Sequence, residues 1–120
     1  MATLTPTLTL ASTDLLSDTL SISVTDALTI TKSAAIKRIV TSNTSTVFAA
    51  ASSYTKAYVY LKNMSTTANE IITIEKADSG DEYLFLGAGE FAFFPWASLV
   101  DLFADAATGT PTLEVGIFEA

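Results

Sequence analysis

Apolar and polar residues alternate along much of this chain, and a period of two is the pattern of half-buried β-strands. The alternation is clearest in residues 3–10, 19–25, 56–62 and 112–119. In the third of these, Val59 and Leu61 would face one side of a sheet, while Tyr58 and Tyr60 would face the other. Such short strands predict sheets rather than helices.

Residues 83–96 contain the densest group of large apolar side chains, so we predict that the core is built on this segment. Two apolar runs flank a glycine-containing connection at 87–90, which predicts a β-hairpin with strands near 82–86 and 90–94. Pro95 has no N–H group to donate to a sheet, and it should therefore end the second strand.

Three other segments carry specific expectations. Phe91 and Phe93 share one face of the second hairpin strand, and we expect that face to point into the core. Residues 70–76 are apolar on both faces, which predicts a central strand covered on both sides. Residues 14–18 could form one helical turn with Thr13 as its cap.

The whole pattern gives about eight or nine short strands with turn signals every 8–12 residues, and it contains no long helical stretch. It predicts an all-β fold, an antiparallel β-sandwich, for which a jelly roll is the most natural eight-stranded arrangement. A chain of 120 residues is expected to hold one domain. Pro6 limits the first strand to an edge, so we divide the chain into an extended N-terminal arm or edge strand, 1–18, and one β-sandwich domain, 19–120.

The composition of the chain leads to a second expectation, that it assembles with other subunits. Charged residues make up 16% of the chain, well below the roughly 25% of typical soluble domains. Either hydroxyl groups cover the surface or part of it is buried against other subunits. We therefore predict a homo-oligomer, with a trimer as the favoured form.

The net charge of −7, with six Lys and Arg residues in total, argues against binding to nucleic acid or to anionic lipid. No apolar run approaches the roughly 18 residues of a membrane span. The N-terminus has no basic region followed by an apolar stretch, so it does not match a secretion signal.

The chain has no cysteine and no histidine, which excludes disulfides, thiolate nucleophiles and every histidine-based catalytic arrangement. Asp78, Asp81 and Glu82 surround Gly80 and could offer oxygen ligands to a hard cation. The full EF-hand spacing is missing, and a solvated turn is the favoured interpretation. Whether residues 78–82 bind a cation is left open.

Asp101 and Asp105 could act as an acid–base pair if both lay on one face of a strand, but surface carboxylates are the favoured interpretation. Gly87 and Gly89 open no helix and lack a third glycine, so they predict no phosphate site. Five aromatic residues could form a flat sugar-binding platform, although a core or a subunit interface is favoured: Tyr54, Tyr58, Tyr60, Tyr83 and Trp96. We therefore assign no catalytic, cofactor-binding or metal-binding residue, and we expect no enzyme activity.

Several stretches resemble a known group of proteins. They are Lys-Ala-Tyr-Val-Tyr-Leu-Lys-Asn (56–63), Ile-Thr-Ile (72–74), Leu-Gly-Ala-Gly-Glu-Phe-Ala-Phe-Phe-Pro (86–95) and Leu-Glu-Val-Gly-Ile-Phe (113–118). Together with the Thr- and Ser-rich opening, they are similar to small virion structural proteins of tailed bacteriophages, especially marine and cyanobacterial ones. These motifs are structural and carry no catalytic residues.

The resemblance implies a β-rich accessory protein of the particle. It would be a capsid-decorating (cement) protein, made in the host cytoplasm, that binds the outer capsid surface and stabilises neighbouring subunits. Its partners would be the major capsid protein or other virion subunits. The alternative is a tail, neck or receptor-binding component with a carbohydrate-binding β-sandwich. The sequence leaves open the copy number, the symmetry and the choice between head and tail.

Overall fold

The computed structural model describes residues 1–32, 34–76 and 81–120, which form β-strands and a single 3-10 turn, Ala51–Ser53. The all-β prediction is confirmed, since the described residues contain no α-helix. The strands are β1 Ala2–Leu4, β2 Thr7–Ser12, β3 Leu20–Thr25, β4 Leu28–Ile30, β5 Ile36–Val40, β6 Thr46–Ala49, β7 Ala57–Asn63, β8 Ile72–Glu75, β9 Glu82–Leu86, β10 Phe91–Trp96, β11 Leu102–Asp105 and β12 Thr112–Glu119. The chain divides into two compact units, Met1–Lys32 (unit 1) and Ser33–Ala120 (unit 2).

Unit 1 consists of two antiparallel strand pairs, β1 with β4 and β2 with β3. The prediction of a helical turn at 14–18 is wrong, because this segment is a series of bends. The hydroxyl of Ser12, not Thr13, accepts the backbone N–H groups of Asp14 and Leu15, at 3.3 and 3.1 Å. Within the predicted arm, β1 pairs with β4 and β2 pairs with β3, so both of its strands have partners inside unit 1.

Unit 2 contains two antiparallel four-stranded sheets. Sheet A has the strand order β10-β7-β12-β5, and sheet B has the order β6-β11-β8-β9. The prediction that residues 70–76 form a central strand is confirmed in position, because β8 lies between β11 and β9. The pairs are nested along the chain: β5 with β12, β6 with β11, β7 with β10, and β8 with β9.

One hydrophobic cluster takes its buried side chains from both sheets, as expected when two sheets pack as a sandwich. Its members are Ala49, Ala57, Val59, Leu61, Ile72, Ile74, Leu86, Trp96, Leu102, Ala104, Leu113 and Val115. The alternation in β7 accounts for its contribution, since Ala57, Val59 and Leu61 are fully buried and the residues between them are not.

The predicted hairpin at 82–94 is wrong, although both of its strands exist. β9 pairs with β8 in sheet B and β10 pairs with β7 in sheet A, so the connection crosses from one sheet to the other. Asn63 at the end of β7 explains the crossing. Its carbonyl accepts the N–H of Gly89 at 3.0 Å, and its N–H donates to the carbonyl of Glu90 at 3.0 Å, which draws the connection onto β7.

The orientation predicted for the second strand is also wrong. Phe91 and Phe93 are 67% and 39% exposed, whereas Ala92, Phe94 and Trp96 face the hydrophobic cluster. The prediction followed from the hairpin, in which the two phenylalanines formed the larger apolar face. In the structure, the buried Trp96 fixes the inward face of β10 instead.

Pro95 does not end the strand, because β10 continues to Trp96 with Pro95 opposite Tyr58. Hydrogen-bonded pairs alternate along antiparallel strands, and the Asn63 N–H to Glu90 bond fixes which pairs these are. The nitrogen of Pro95 consequently points away from β7. On this edge strand the missing N–H breaks no sheet hydrogen bond.

Candidate interaction surfaces

The outer face of sheet A is unusually aromatic, and we call it the aromatic face. It is formed by Ile36, Tyr58, Tyr60, Phe91, Phe93, Pro95 and Phe118. These side chains alternate with core residues on the same strands, so the pattern that buries one side of the sheet leaves the other side apolar as well. An exposed apolar sheet face of this kind is a candidate interaction surface.

Ring contacts connect side chains of neighbouring strands on the aromatic face. Tyr58 stacks on Phe93 with ring centroids 6.2 Å apart and planes at 10°, and the Lys56 ammonium lies 5.5 Å from the Tyr58 centroid. A Cβ atom at Gly116 would lie 2.8 Å from Ile36 Cδ1 and 3.0 Å from the ring of Phe118. Glycine at this position therefore lets both side chains lie across the sheet.

A row of charged residues crosses the same face. Glu114 on β12 lies between Lys62 on β7 and Arg38 on β5 in the sheet register. Its carboxylate accepts hydrogen bonds from the Tyr60 hydroxyl at 2.8 Å and from Arg38 Nε at 3.2 Å. The Tyr60 bond, with help from Arg38, lowers the pKa of Glu114 from its usual 4.5. Burial and the adjacent Glu114 raise the pKa of Tyr60.

These shifts give a pH prediction for Glu114→Gln. Because the pKa of Glu114 is lower in the folded chain than in the unfolded one, its ionised form adds stability above the usual glutamate range. That contribution is lost as pH falls through the folded value. Wild type should therefore melt above the variant at pH 7, and the gap should close at acidic pH. Glu82→Gln, at an exposed glutamate of sheet B, is the control, and a gap independent of pH would contradict the assignment.

A second apolar surface lies on unit 1, on the pair β2–β3, which we call the ribbon. Leu8 faces Val24 and Leu10 faces Ile22, and these four side chains are 43–56% exposed. Neither strand contains a charged residue. A two-stranded ribbon is marginally stable in water by itself, so a face of this composition is suited to burial against another surface.

An apolar groove of about 320 Å³ lies between the edge strands of the two sheets. It is lined by Tyr83, Leu84, Ala92, Phe93, Phe94 and Pro95. Tyr83 and Phe94 meet edge to face across it, with centroids 6.0 Å apart. The groove adjoins the aromatic face through Phe93 and Pro95, which belong to both.

Of the carboxylates considered from the sequence, the structure describes Asp81, Glu82, Asp101 and Asp105. Asp78 lies outside the described residues, and Asp81 is 3.7 Å from the Lys76 ammonium. Within residues 1–32, 34–76 and 81–120, no group of three or more metal-ligating side chains comes together. Asp101 lies before β11, not on it with Asp105, and its carboxylate accepts the N–H of Ala51 at 2.7 Å. This bond gives Asp101 a structural role at the 3-10 turn.

The five aromatic residues considered as a platform do not share one surface. Trp96 is buried and packs edge to face on Tyr54, at 5.7 Å, while Tyr83 lies on sheet B. Only Tyr58 and Tyr60 belong to the aromatic face. Sequence reasoning missed Phe91 and Phe93, because the parity of β10 was assigned from the false hairpin.

Comparison of the chain with protein-family models, with curated proteins and with solved structures finds no match. Across the part of the chain that the structure describes, no helix is long and apolar enough to cross a membrane.

Proposed function

We propose that this chain is a structural virion protein of a tailed bacteriophage, a capsid decoration (cement) protein that binds the outer capsid surface and stabilises neighbouring subunits. Its partners would be the major capsid protein or other virion subunits, and its bound form a homotrimer. The motifs in residues 56–63, 72–74, 86–95 and 113–118 suggest this class.

The observation that carries the proposal is the ribbon. Its four aliphatic side chains form a continuous uncharged surface on a chain with a net charge of −7. Such a surface gains stability when it lies against an apolar strip of a larger assembly. Its unpaired strand edges can also extend a neighbouring sheet.

For the topology of unit 2 we propose a jelly roll. The support is the nesting of the pairs, in which the first strand of the unit pairs with the eighth, the second with the seventh, the third with the sixth and the fourth with the fifth. A long hairpin rolled up on itself produces this order. Viral capsid proteins and lectins both use jelly rolls, so the topology agrees with the proposed function without selecting it.

Mass spectrometry of intact virions tests the proposal. Particles purified from a culture that carries the gene should contain the protein at a copy number comparable to that of the major capsid protein. A protein that is abundant in lysates but missing from washed particles would contradict the proposal.

The ribbon gives a sharper prediction. Leu8→Ser with Leu10→Ser should weaken binding to particles by tenfold or more, because each truncation of a buried apolar anchor costs more than about 1 kcal/mol. The matched control is Thr7→Ser with Thr9→Ser, on the other side of the same strand. Co-sedimentation with particles that lack the protein measures both variants. Equal binding by both would show that the ribbon is not the contact.

One observation favours the alternative, a receptor-binding or tail component that binds carbohydrate. Tyr58, Phe93 and the charged row place flat rings beside hydrogen-bonding groups, which is a composition suited to sugars. Because Trp96 is buried in the core, its fluorescence is a poor reporter of such binding. Saturation-transfer NMR with a panel of oligosaccharides is the suitable test, and transfer to one sugar that Tyr58→Ala abolishes would favour the alternative.

A further inference from the structure

One row of residues on the aromatic face is complementary to a second copy of the same row laid against it in the opposite direction. In the register of sheet A, the charged row is Lys62, Glu114 and Arg38, and Phe91 on β10 extends it at the Lys62 end. The two inner positions carry opposite charges, and the two outer positions carry an aromatic ring and a guanidinium. When a second copy of this row is laid against the first in the opposite direction, each residue meets a favourable partner.

We propose that two copies of the free chain bind each other face to face through sheet A, about a two-fold axis that runs parallel to the strands between β7 and β12. This axis reverses the strand order of the second copy. It leaves the position of each row along the strand direction unchanged, so each row faces the same row of the second copy. Lys62 then faces Glu114 of the second copy, and Glu114 faces its Lys62. At the ends of the row, Phe91 meets Arg38 of the second copy, which is a cation–π pair.

The neighbouring rows are compatible with the same axis. Phe93 would face Ile36 of the second copy, and Tyr58 would face its Phe118. Both contacts are apolar, and sheets that pack face to face lie about 10 Å apart, which such side chains can fill. The contact therefore combines aromatic residues at its centre with paired charges in one row, as protein interfaces do.

Electrostatics selects this arrangement over the other face-to-face one. An axis perpendicular to the strands and level with the charged row would place Lys62 against Lys62, and Glu114 against Glu114, of the second copy. Like charges in contact disfavour such a pairing. Glu114 can also accept another partner, because a carboxylate has about four acceptor positions and Tyr60 and Arg38 use one on each oxygen.

The size of the face sets the expected strength. Four strands about 4.8 Å apart and about five residues long cover a flat area of roughly 300 Å² on each copy. The two copies together would cover about 600 Å², less than the roughly 1,000 Å² of a stable specific interface, so the pair should be weak and should form and dissociate with protein concentration. The proposal concerns the free protein and does not depend on the virion role, whose trimer refers to the particle-bound form.

The first test is sedimentation equilibrium of the full chain over a concentration series. We expect a monomer–dimer equilibrium that Phe91→Ser weakens by roughly tenfold. Phe85→Ser is the matched control, since Phe85 is 62% exposed on sheet B and Phe91 is 67% exposed on sheet A. A wild-type monomer at every concentration, a trimer, or equal weakening by both variants would overturn the proposal.

The second test separates contacts between chains from contacts within one chain. In Lys62→Glu or Glu114→Lys homodimers, like charges oppose each other across the axis, and each dimer should be weaker than wild type. In a 1:1 mixture, both cross-axis pairs become complementary, while the neighbours within each chain stay the same. The mixture should therefore form heterodimers, detectable by native mass spectrometry with one chain isotope-labelled. Thermal melts establish that both variants fold, and folded variants that do not pair on mixing would overturn the proposal.

Discussion

Asn63→Asp is expected to be among the most destabilising single substitutions in the chain. Asn63 is fully buried, and its amide nitrogen donates to the carbonyls of Glu70 and Leu86, at 2.8 and 2.9 Å. Its side-chain oxygen accepts the N–H of Ser65 at 2.9 Å. An aspartate would keep the last bond and turn a buried negative charge toward two carbonyl oxygens.

The loss should be at least about 3 kcal/mol, because each buried polar group left without a partner costs about 1–3 kcal/mol and a buried charge costs more. Asn43→Asp makes the same chemical change at an exposed position and serves as the control. Urea unfolding measures both variants. Asn63→Asp should also regain part of its stability at acidic pH, where a protonated carboxyl group can donate one of the lost bonds. Equal stability of the two variants at pH 7 would show that the buried hydrogen bonds of Asn63 do not stabilise the fold.

Asn63 also marks a signal that was present in the sequence. It follows Ala57, Val59 and Leu61 at the inward parity of β7, where an amide needs specific partners. The pattern alone cannot name those partners, because they are backbone carbonyls of residues outside the strand, 7 and 23 positions further along the chain. The sequence thus locates the buried polar group but not the connection that the group holds.

The strands themselves were largely predictable, because a period of two depends only on neighbouring residues. β3, β7 and β12 lie within one residue of the predicted positions, and β7 has the predicted alternation of its two faces. The partners of β9 and β10, which are β8 and β7, were not predictable in the same way. A glycine-containing connection suits a tight hairpin and a crossing between sheets equally, and the choice depends on long-range bonds to Asn63.

The aromatic face shows how one error of pairing assigns exposed side chains to the core. Side chains on a strand alternate strictly, so assigning Phe91 and Phe93 to the core placed Ala92 and Phe94 outside. Tyr58 and Tyr60 were placed correctly, on the side of the strand opposite Val59 and Leu61. The cross-strand neighbours that complete the face required the register between β7, β10 and β12.

A second large loss of stability is expected for Leu61→Ala, because Leu61 lies in the hydrophobic core. Leu61 is fully buried at the centre of sheet A, between Ala92 on β10 and Val115 on β12. Removing most of this side chain should lower the free energy of unfolding by about 2–5 kcal/mol, through lost burial and the cavity that remains. In a domain of this size, each kcal/mol lowers the melting temperature by about 4–8 °C, so the change is easily measured.

Phe91→Ala is the informative comparison, because the hairpin interpretation would bury this ring. With Phe91 exposed on the outer face, its truncation should change the free energy of unfolding by no more than about 0.5 kcal/mol when measured at a concentration where the chain is monomeric. Phe93→Ala should lie between the two, at about 1 kcal/mol, because the ring is partly covered by its stack on Tyr58. The order Leu61, Phe93, Phe91 in urea unfolding follows from β10 pairing with β7. If Phe91→Ala cost as much as Leu61→Ala, the phenylalanines would face inward after all and the aromatic face would not exist.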